Sequence, residues 1–170
     1  MEAADALLRL VVPPWAPNLH PILVHFPIAW LIAALAVDIV SLVLSRARWT
    51  HTTSAALYTA GAVSAWATYL SGRQAAAGVL MPGMAQPVFL DHWNWALATT
   101  TYFTVVGAVR LAIAIKGRES TFALRAAGAA VGLGGLLLLV HTGEQGARLV
   151  FEHGVGVRPR MHDGATAATK

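Results

Sequence analysis

Four long apolar stretches restrict the fold of this chain more than any other feature. They lie at about 19–44, 55–79, 93–115 and 124–141. A helix that crosses the ~30 Å hydrocarbon core of a bilayer needs about 17–25 apolar residues, and each stretch meets that length. Of the 170 residues, 56% are hydrophobic and only 12% are charged, a composition typical of a membrane protein. The sequence therefore predicts an all-α integral membrane bundle of four transmembrane helices.

The two ends of the chain differ from its apolar middle. Residues 1–17 combine an apolar stripe with Pro13-Pro14-Trp15-Ala16-Pro17, a pattern typical of a short helix that lies among lipid headgroups. Glu2 and Asp5 stand where a cleavable signal peptide needs positive charge. We expect an N-terminal interfacial amphipathic segment over 1–17, a four-helix transmembrane domain over 18–157, and a polar, mobile tail over 158–170.

Lysine and arginine are distributed unequally between the two sides of this predicted bundle. On one side, the central loop has a single cation, Arg73. On the other side, the loops have five: Arg46, Arg48, Lys116, Arg118 and Arg125. Loops rich in Lys and Arg stay in the cytoplasm. We therefore expect a bacterial inner-membrane protein with both termini in the periplasm. No basic and aromatic pattern of a nucleic-acid surface accompanies these cations, so nucleic acid is not an expected partner.

Five of the seven histidines fall where the apolar stretches begin or end on the predicted periplasmic side: His20, His25, His92, His141 and His153. Ionisable side chains at membrane depth are costly and mark functional sites. The chain has no cysteine, which excludes thiolate ligands and the covalent attachment of a c-type haem. Any redox cofactor must therefore be held through histidine, methionine or oxygen ligands.

Helical spacing links these histidines to the two charges inside the spans. Asp38 follows His20 by 18 residues, and Arg110 follows His92 by 18 residues, which is five turns at ~3.6 residues per turn. Each pair therefore shares a helix face. The first and third crossings run in the same direction, so we expect an Asp38–Arg110 salt bridge near the inner surface and His20 facing His92 at the outer end. The alternative is that Arg110 extends to the inner interface and Asp38 meets only water.

The deeper histidines fit the ligand set of a b-type haem. His25 is rotated by ~140° from His20 along the helix, and it lies at a depth comparable to that of His141. Two neutral imidazoles from different helices ligate such a haem, so we predict His25 and His141 as axial ligands of haem b. Arg73 and Arg148 are candidate partners for the propionates, and His20, His92 and His153 complete the candidate cofactor site.

Two other interpretations of the histidines stay open. Imidazole suits copper and zinc, so a periplasm-facing metal site is an alternative, with His20, His25, His92 and His141 as candidate ligands. A third interpretation is a cofactor-free structural subunit, in which the histidines line a polar seam against a partner. In that case each ring is a structural hydrogen-bonding group or an interfacial residue.

The motifs at both ends of the membrane domain resemble a known family. The opening Asn18-Leu19-His20-Pro21-Ile22-Leu23-Val24-His25-Phe26-Pro27-Ile28-Ala29 with Asp38, and the closing His141-Thr142-Gly143 with Leu149-Val150-Phe151-Glu152-His153-Gly154-Val155-Gly156-Val157, are similar to the bacterial family called domain of unknown function 2231. The resemblance implies a four-crossing inner-membrane protein. Some members are joined to c-type cytochrome domains, which implies redox work.

These observations together predict a membrane b-type cytochrome-like subunit. It would pass electrons between a periplasmic redox protein or c-type cytochrome and the quinone pool, as part of a larger membrane complex. Whether such a subunit is itself an enzyme is left open by the sequence.

Overall fold

The computed structural model describes residues 18–44, 49–79, 81–117 and 121–157. Their elements are helical: α1 (His20–Leu23), α2 (His25–Val43), α3 (Trp49–Gly78), a 3-10 turn (Gly83–Ala85), α4 (Gln86–Ile115) and α5 (Phe122–Phe151). Only Val24 separates α1 from α2, so the two together form the first of four long rods. The predicted interfacial segment over 1–17 and the predicted tail over 158–170 lie outside the described residues.

Three helical segments among the described residues are long and apolar enough to cross a membrane: His20–Val43, Gly83–Ile115 and Phe122–Phe151. Helix α3 has 30 residues, as α4 and α5 do, but its share of Thr, Ser and Gly lowers its hydropathy. The all-α membrane bundle predicted from the sequence is thus supported with three candidate spans. The fourth crossing, expected at 55–79, stays a prediction.

The four rods pack in a ring, each against two neighbours. Helix α3 contacts α2 and α4, and α5 contacts α4 and α2, so α2 and α4 lie on a diagonal.

The two ends of the bundle are distinguished by their polar residues. At the histidine end, the His20 ring lies against Gly72 and the His92 ring against Gly146. At the opposite end, called here the ion-pair end, Asp38 meets Ser54 and Arg110.

The apolar core lies between these two ends. Its buried members come from α2, α3 and α4: Leu31, Ala34, Tyr58, Phe103 and Val106. The rings of Tyr58 and Phe103 stack with centroids 6.2 Å apart. Helix α5 approaches this core through glycine, since a Cβ atom on Gly135 would lie 2.5 Å from Cζ of Phe103. Close contact of this kind is how helices associate where lipid supplies no hydrophobic driving force.

The break between α1 and α2 lies just before a proline, Pro27. Pro27 has no backbone N–H, so it cannot donate to the carbonyl of Leu23 four residues earlier. That carbonyl accepts instead from Oγ1 of Thr68 on α3, at 3.1 Å. The hydrogen bond satisfies a backbone group that water cannot reach at membrane depth, and it ties the beginning of the first rod to α3.

The predicted salt bridge between Asp38 and Arg110 is confirmed. Asp38 is 3% exposed, and its carboxylate accepts from Nη2 of Arg110, from Ser54 Oγ at 2.6 Å and from Tyr58 Oη at 3.1 Å. The Arg110 guanidinium lies 5.4 Å from the centroid of the Tyr58 ring. The absence of a side chain on Gly128 leaves room for that guanidinium. One charged contact therefore joins all four rods.

We expect substitutions at this pair to be strongly non-additive. Asp38→Leu or Arg110→Leu alone leaves one charge buried and should lower the free energy of unfolding by about 3–5 kcal/mol. The double Leu variant should lose less than either single variant, because no lone charge remains. Denaturant unfolding in detergent micelles measures the cycle. The exposed pair Arg148–Glu152 is the control, with an expected coupling of about 0–1 kcal/mol, and additive losses at Asp38 and Arg110 would contradict the expectation.

Candidate functional site

The hydrogen bonds of the His20 ring fix its tautomer. Nδ1 lies 3.1 Å from the carbonyl oxygen of Thr68 and 3.1 Å from Oγ of Ser71. A carbonyl only accepts hydrogen bonds, so Nδ1 carries the proton and donates. The Ser71 hydroxyl itself donates to the Thr68 carbonyl at 2.8 Å. Nε2 of His20 is therefore left as an unprotonated acceptor.

The His92 ring is held in the same way from the other side of the bundle. Its Nδ1 lies 3.0 Å from the carbonyl oxygen of Thr142 on α5, so this nitrogen is also the donor. The ring packs against Gly146, where a Cβ atom would lie 3.1 Å from its Cε1. In both histidines a backbone carbonyl orients the ring and leaves Nε2 bare, which is the arrangement that histidine ligands commonly show.

Both rings line one cavity of about 110 Å³ at the histidine end of the bundle. All four rods contribute to its walls, which are mostly apolar. Its lining residues are His20, Val24, Pro27, Ile28, Leu31, Ala65, Thr68, Tyr69, His92, Ala96, Thr99, Thr100, Leu139, Thr142 and Gly143. The prediction that His20 and His92 lie together at one end of the bundle is thus confirmed, while the side of the membrane that this end faces stays a prediction.

Three threonine hydroxyls in the cavity wall are already paired. Thr68 donates to the Leu23 carbonyl, Thr142 donates to the Leu138 carbonyl at 2.9 Å, and Thr99 lies 2.8 Å from the Thr142 hydroxyl. By contrast, within the part of the chain that the structure describes, no hydrogen bond ends on Nε2 of either histidine. The cavity is therefore lined by two imidazoles, one from each diagonal rod, and Nε2 of each has no hydrogen bond among the described residues.

His25 and His141 lie outside this cavity. The His25 side chain is exposed, and its Nδ1 is 3.3 Å from the Ile22 carbonyl of its own helix. The His141 ring packs edge-to-face on Trp95 of α4 with centroids 4.6 Å apart. No described contact joins the two histidines. Their role as axial ligands of one haem stays a prediction.

Arg73 and Arg148 have partners within the chain, whereas Nε2 of His153 is buried without a hydrogen-bond partner among the described residues. Arg73 is exposed, with its guanidinium carbon 5.5 Å from the centroid of the Trp93 ring. Arg148 donates to both carboxylate oxygens of Glu152, at 3.0 and 3.2 Å. The His153 side chain is 18% exposed, and its Nε2 lies 4.0 Å from the Glu152 carboxylate, too far for a hydrogen bond. None of the three lines the His20–His92 cavity.

The metal alternative lacks a ligand set among the described residues. Within those ranges, no group of three or more His, Cys, Asp or Glu side chains is placed to hold a metal ion. His20 and His92 share the cavity, but His25, the expected third ligand, points away from it. Two imidazoles remain, without a third His, Cys, Asp or Glu ligand among the described residues.

Sequence reasoning missed the residues that orient the two rings. Thr68 and Ser71 lie on α3, next to the rod that carries His20, and Thr142 lies on α5, next to the rod that carries His92. Nothing in the spacing of these three residues shows which rod they face. Thr142 directly follows a predicted ligand, His141, but its contribution comes from its backbone carbonyl. Only the small residues Gly72 and Gly146 were a visible signal that a bulky group packs there.

Comparison with known families gives one match. Residues 16–159 match the family described as predicted membrane protein, domain of unknown function 2231. The match covers most of the 170 residues, and the chain belongs to this family, as the motifs at its two ends predict. No curated protein and no solved structure matches the chain.

We expect His20 and His92 to be neutral rings protonated at Nδ1. Proton-coupled ¹⁵N NMR of histidine-labelled protein in micelles at neutral pH should assign the N–H to Nδ1 in both rings, because a carbonyl accepts from that atom. Ser71→Ala removes one of the two contacts of His20 and should keep this tautomer, since the Thr68 carbonyl remains. A proton on Nε2 in either ring would contradict the assignment.

Proposed function

We propose that this member of the family is a membrane electron-transfer subunit that works between a periplasmic redox partner and the quinone pool, with the His20–His92 cavity as its ligand site. The observation that supports the proposal is that two imidazoles, each held by Nδ1 on a backbone carbonyl, line one mostly apolar cavity. Ionisable residues that face the interior of a membrane bundle mark binding and transfer sites.

The membrane arrangement that goes with this function has four crossings. Helix α3 packs against both α2 and α4, and it links the histidine end to the ion-pair end as the other rods do. The loops rich in Lys and Arg would lie in the cytoplasm together with the ion-pair end. The histidine end would then lie at the periplasmic side of a bacterial inner membrane. A soluble c-type cytochrome would reach the histidine end from the periplasm.

A reporter fused after Lys170 should behave as periplasmic, because the loops on the opposite side carry most of the Lys and Arg that retain a loop in the cytoplasm. Paired phosphatase and fluorescent-protein fusions measure this, and fusions in the loop near Arg118 should report the opposite side. A cytoplasmic C-terminus would overturn the orientation and the approach of a periplasmic partner.

The two histidines match the donor set of haem b, but the cavity does not match its size. Neutral imidazoles from diagonal helices of a bundle are the usual axial ligands, and haem would supply one-electron transfer there. The cavity of about 110 Å³ is nearer to the ~150 Å³ that holds one benzene ring. A macrocycle would require the rods to move apart. Haem b, whether on His25 and His141 or elsewhere, stays a prediction of the sequence.

The decisive experiment for the proposed function uses membranes of the source cells with the chain present, deleted, or carrying His20→Ala or His92→Ala. Quinol-driven reduction of added c-type cytochrome should fall by about tenfold, or 1.4 kcal/mol in barrier, on deletion and with either variant. His51→Ala, a histidine at the ion-pair end, is the matched control and should leave the rate unchanged. Unchanged rates with correctly inserted variants would favour the cofactor-free structural subunit instead.

A further inference from the structure

The chemistry of the cavity identifies a class of ligand for the proposed electron-transfer site. We infer that the cavity binds the head group of a quinol, the reduced and doubly protonated form of a lipid-soluble quinone, with Nε2 of His20 and Nε2 of His92 as acceptors for its hydroxyls. This inference rests on the proposed function and names the ligand of the same site.

The size of the cavity fits a single ring. Its volume of about 110 Å³ is somewhat smaller than the ~150 Å³ of a cavity that holds one benzene ring. Small side chains help to make this space, since Ala65 of α3 and Ala96 of α4 line it together with Leu31 and Leu139. A planar six-membered ring with mostly apolar contacts suits such walls, whereas a charged or strongly hydrated ligand does not.

Hydrogen-bond polarity then selects the reduced form. Both rings have their single proton on Nδ1, where a carbonyl accepts it, so each offers the ligand a lone pair and no donor. A quinol has two O–H groups and can donate to both histidines. The oxidised quinone has two carbonyl oxygens, which only accept, and its oxygen lone pairs would face those of Nε2. Binding the quinone therefore leaves both acceptors unsatisfied.

The cavity also borders the surface from which such a ligand would come. Ile28 on α2 and Gly143 on α5 line the cavity and are both exposed, so the wall between these two rods reaches the outside of the bundle. Ile28 lies in one of the candidate spans, at a depth where the surroundings are lipid. An isoprenoid tail can remain in the bilayer while the ring enters between α2 and α5.

The test is calorimetric titration of the purified full-length protein in lipid nanodiscs, under anaerobic conditions. The probes are a decyl-substituted benzoquinol, the matching benzoquinone, and the dimethyl ether of the quinol, which keeps ring and tail but has no hydroxyl donor. The quinol should bind at least about tenfold more tightly than the quinone or the dimethyl ether. Its two hydroxyls can donate to both histidines, whereas the other two probes leave both Nε2 acceptors unpaired.

Three variants separate the histidines from the space between them. His20→Ala and His92→Ala should each lower quinol affinity by about tenfold and reduce its preference over the quinone. Ala96→Leu keeps both histidines but fills the cavity, so it should abolish binding of all three probes. His51→Ala, at the ion-pair end, should bind the quinol as the unchanged protein does. Thermal unfolding of each variant shows that the bundle is assembled.

Each alternative outcome has a distinct meaning. Equal or tighter binding of the quinone would overturn the inference, and so would quinol affinity that survives both histidine substitutions. A red protein whose bis-histidine spectrum is lost in His20→Ala would overturn the quinol assignment while the proposed electron-transfer function stands. If no probe binds, no haem is present, and the membrane assay is insensitive to both substitutions, the proposed function fails together with the inference.

Discussion

The buried ion pair between Asp38 and Arg110 is the contact on which the rest of the bundle depends. In an environment poor in water, each charge is tolerated only while the other is present. The Ser54 and Tyr58 hydroxyls satisfy further lone pairs of the carboxylate, and the glycine at 128 leaves room for the guanidinium. Because the pair joins the diagonal rods α2 and α4 and recruits both others, it fixes their relative rotation and their relative height.

That fixed rotation has its effect five turns away. Residues 18 positions apart on one helix share a face. Val24 keeps helical backbone angles between α1 and α2, so the first rod and α4 also turn His20 and His92 toward the bundle axis when they present Asp38 and Arg110 to each other. The cavity between the two rings is thus a geometric consequence of the ion pair. The walls then depend on small residues such as Ala65 and Ala96, which leave the axis unfilled at the histidine end while Tyr58 and Phe103 fill it below.

Much of this arrangement was predictable because it follows from helical periodicity alone. The apolar stretches, the ion pair and the shared end of His20 and His92 all rest on counting residues along single helices, and so does the rotation of His25 away from His20. What counting cannot supply is which helices are neighbours. The sequence therefore paired His25 with His141 for their similar depth, whereas the structure places them beside different rods. The sequence also suggested Arg73 as a partner for a propionate, and in the structure the Arg73 guanidinium lies over the ring of Trp93.

The first rod is held near its two ends by different contacts with α3. His20 belongs to a helix of only four residues, held by Thr68 and Ser71 of α3, while Asp38 belongs to the 19-residue helix that follows. Val24 between them keeps helical backbone angles, φ −59° and ψ −26°, so the imidazole and the carboxylate turn together with the rod. A substitution that rotates the rod at one end therefore misaligns the hydrogen bonds at the other end.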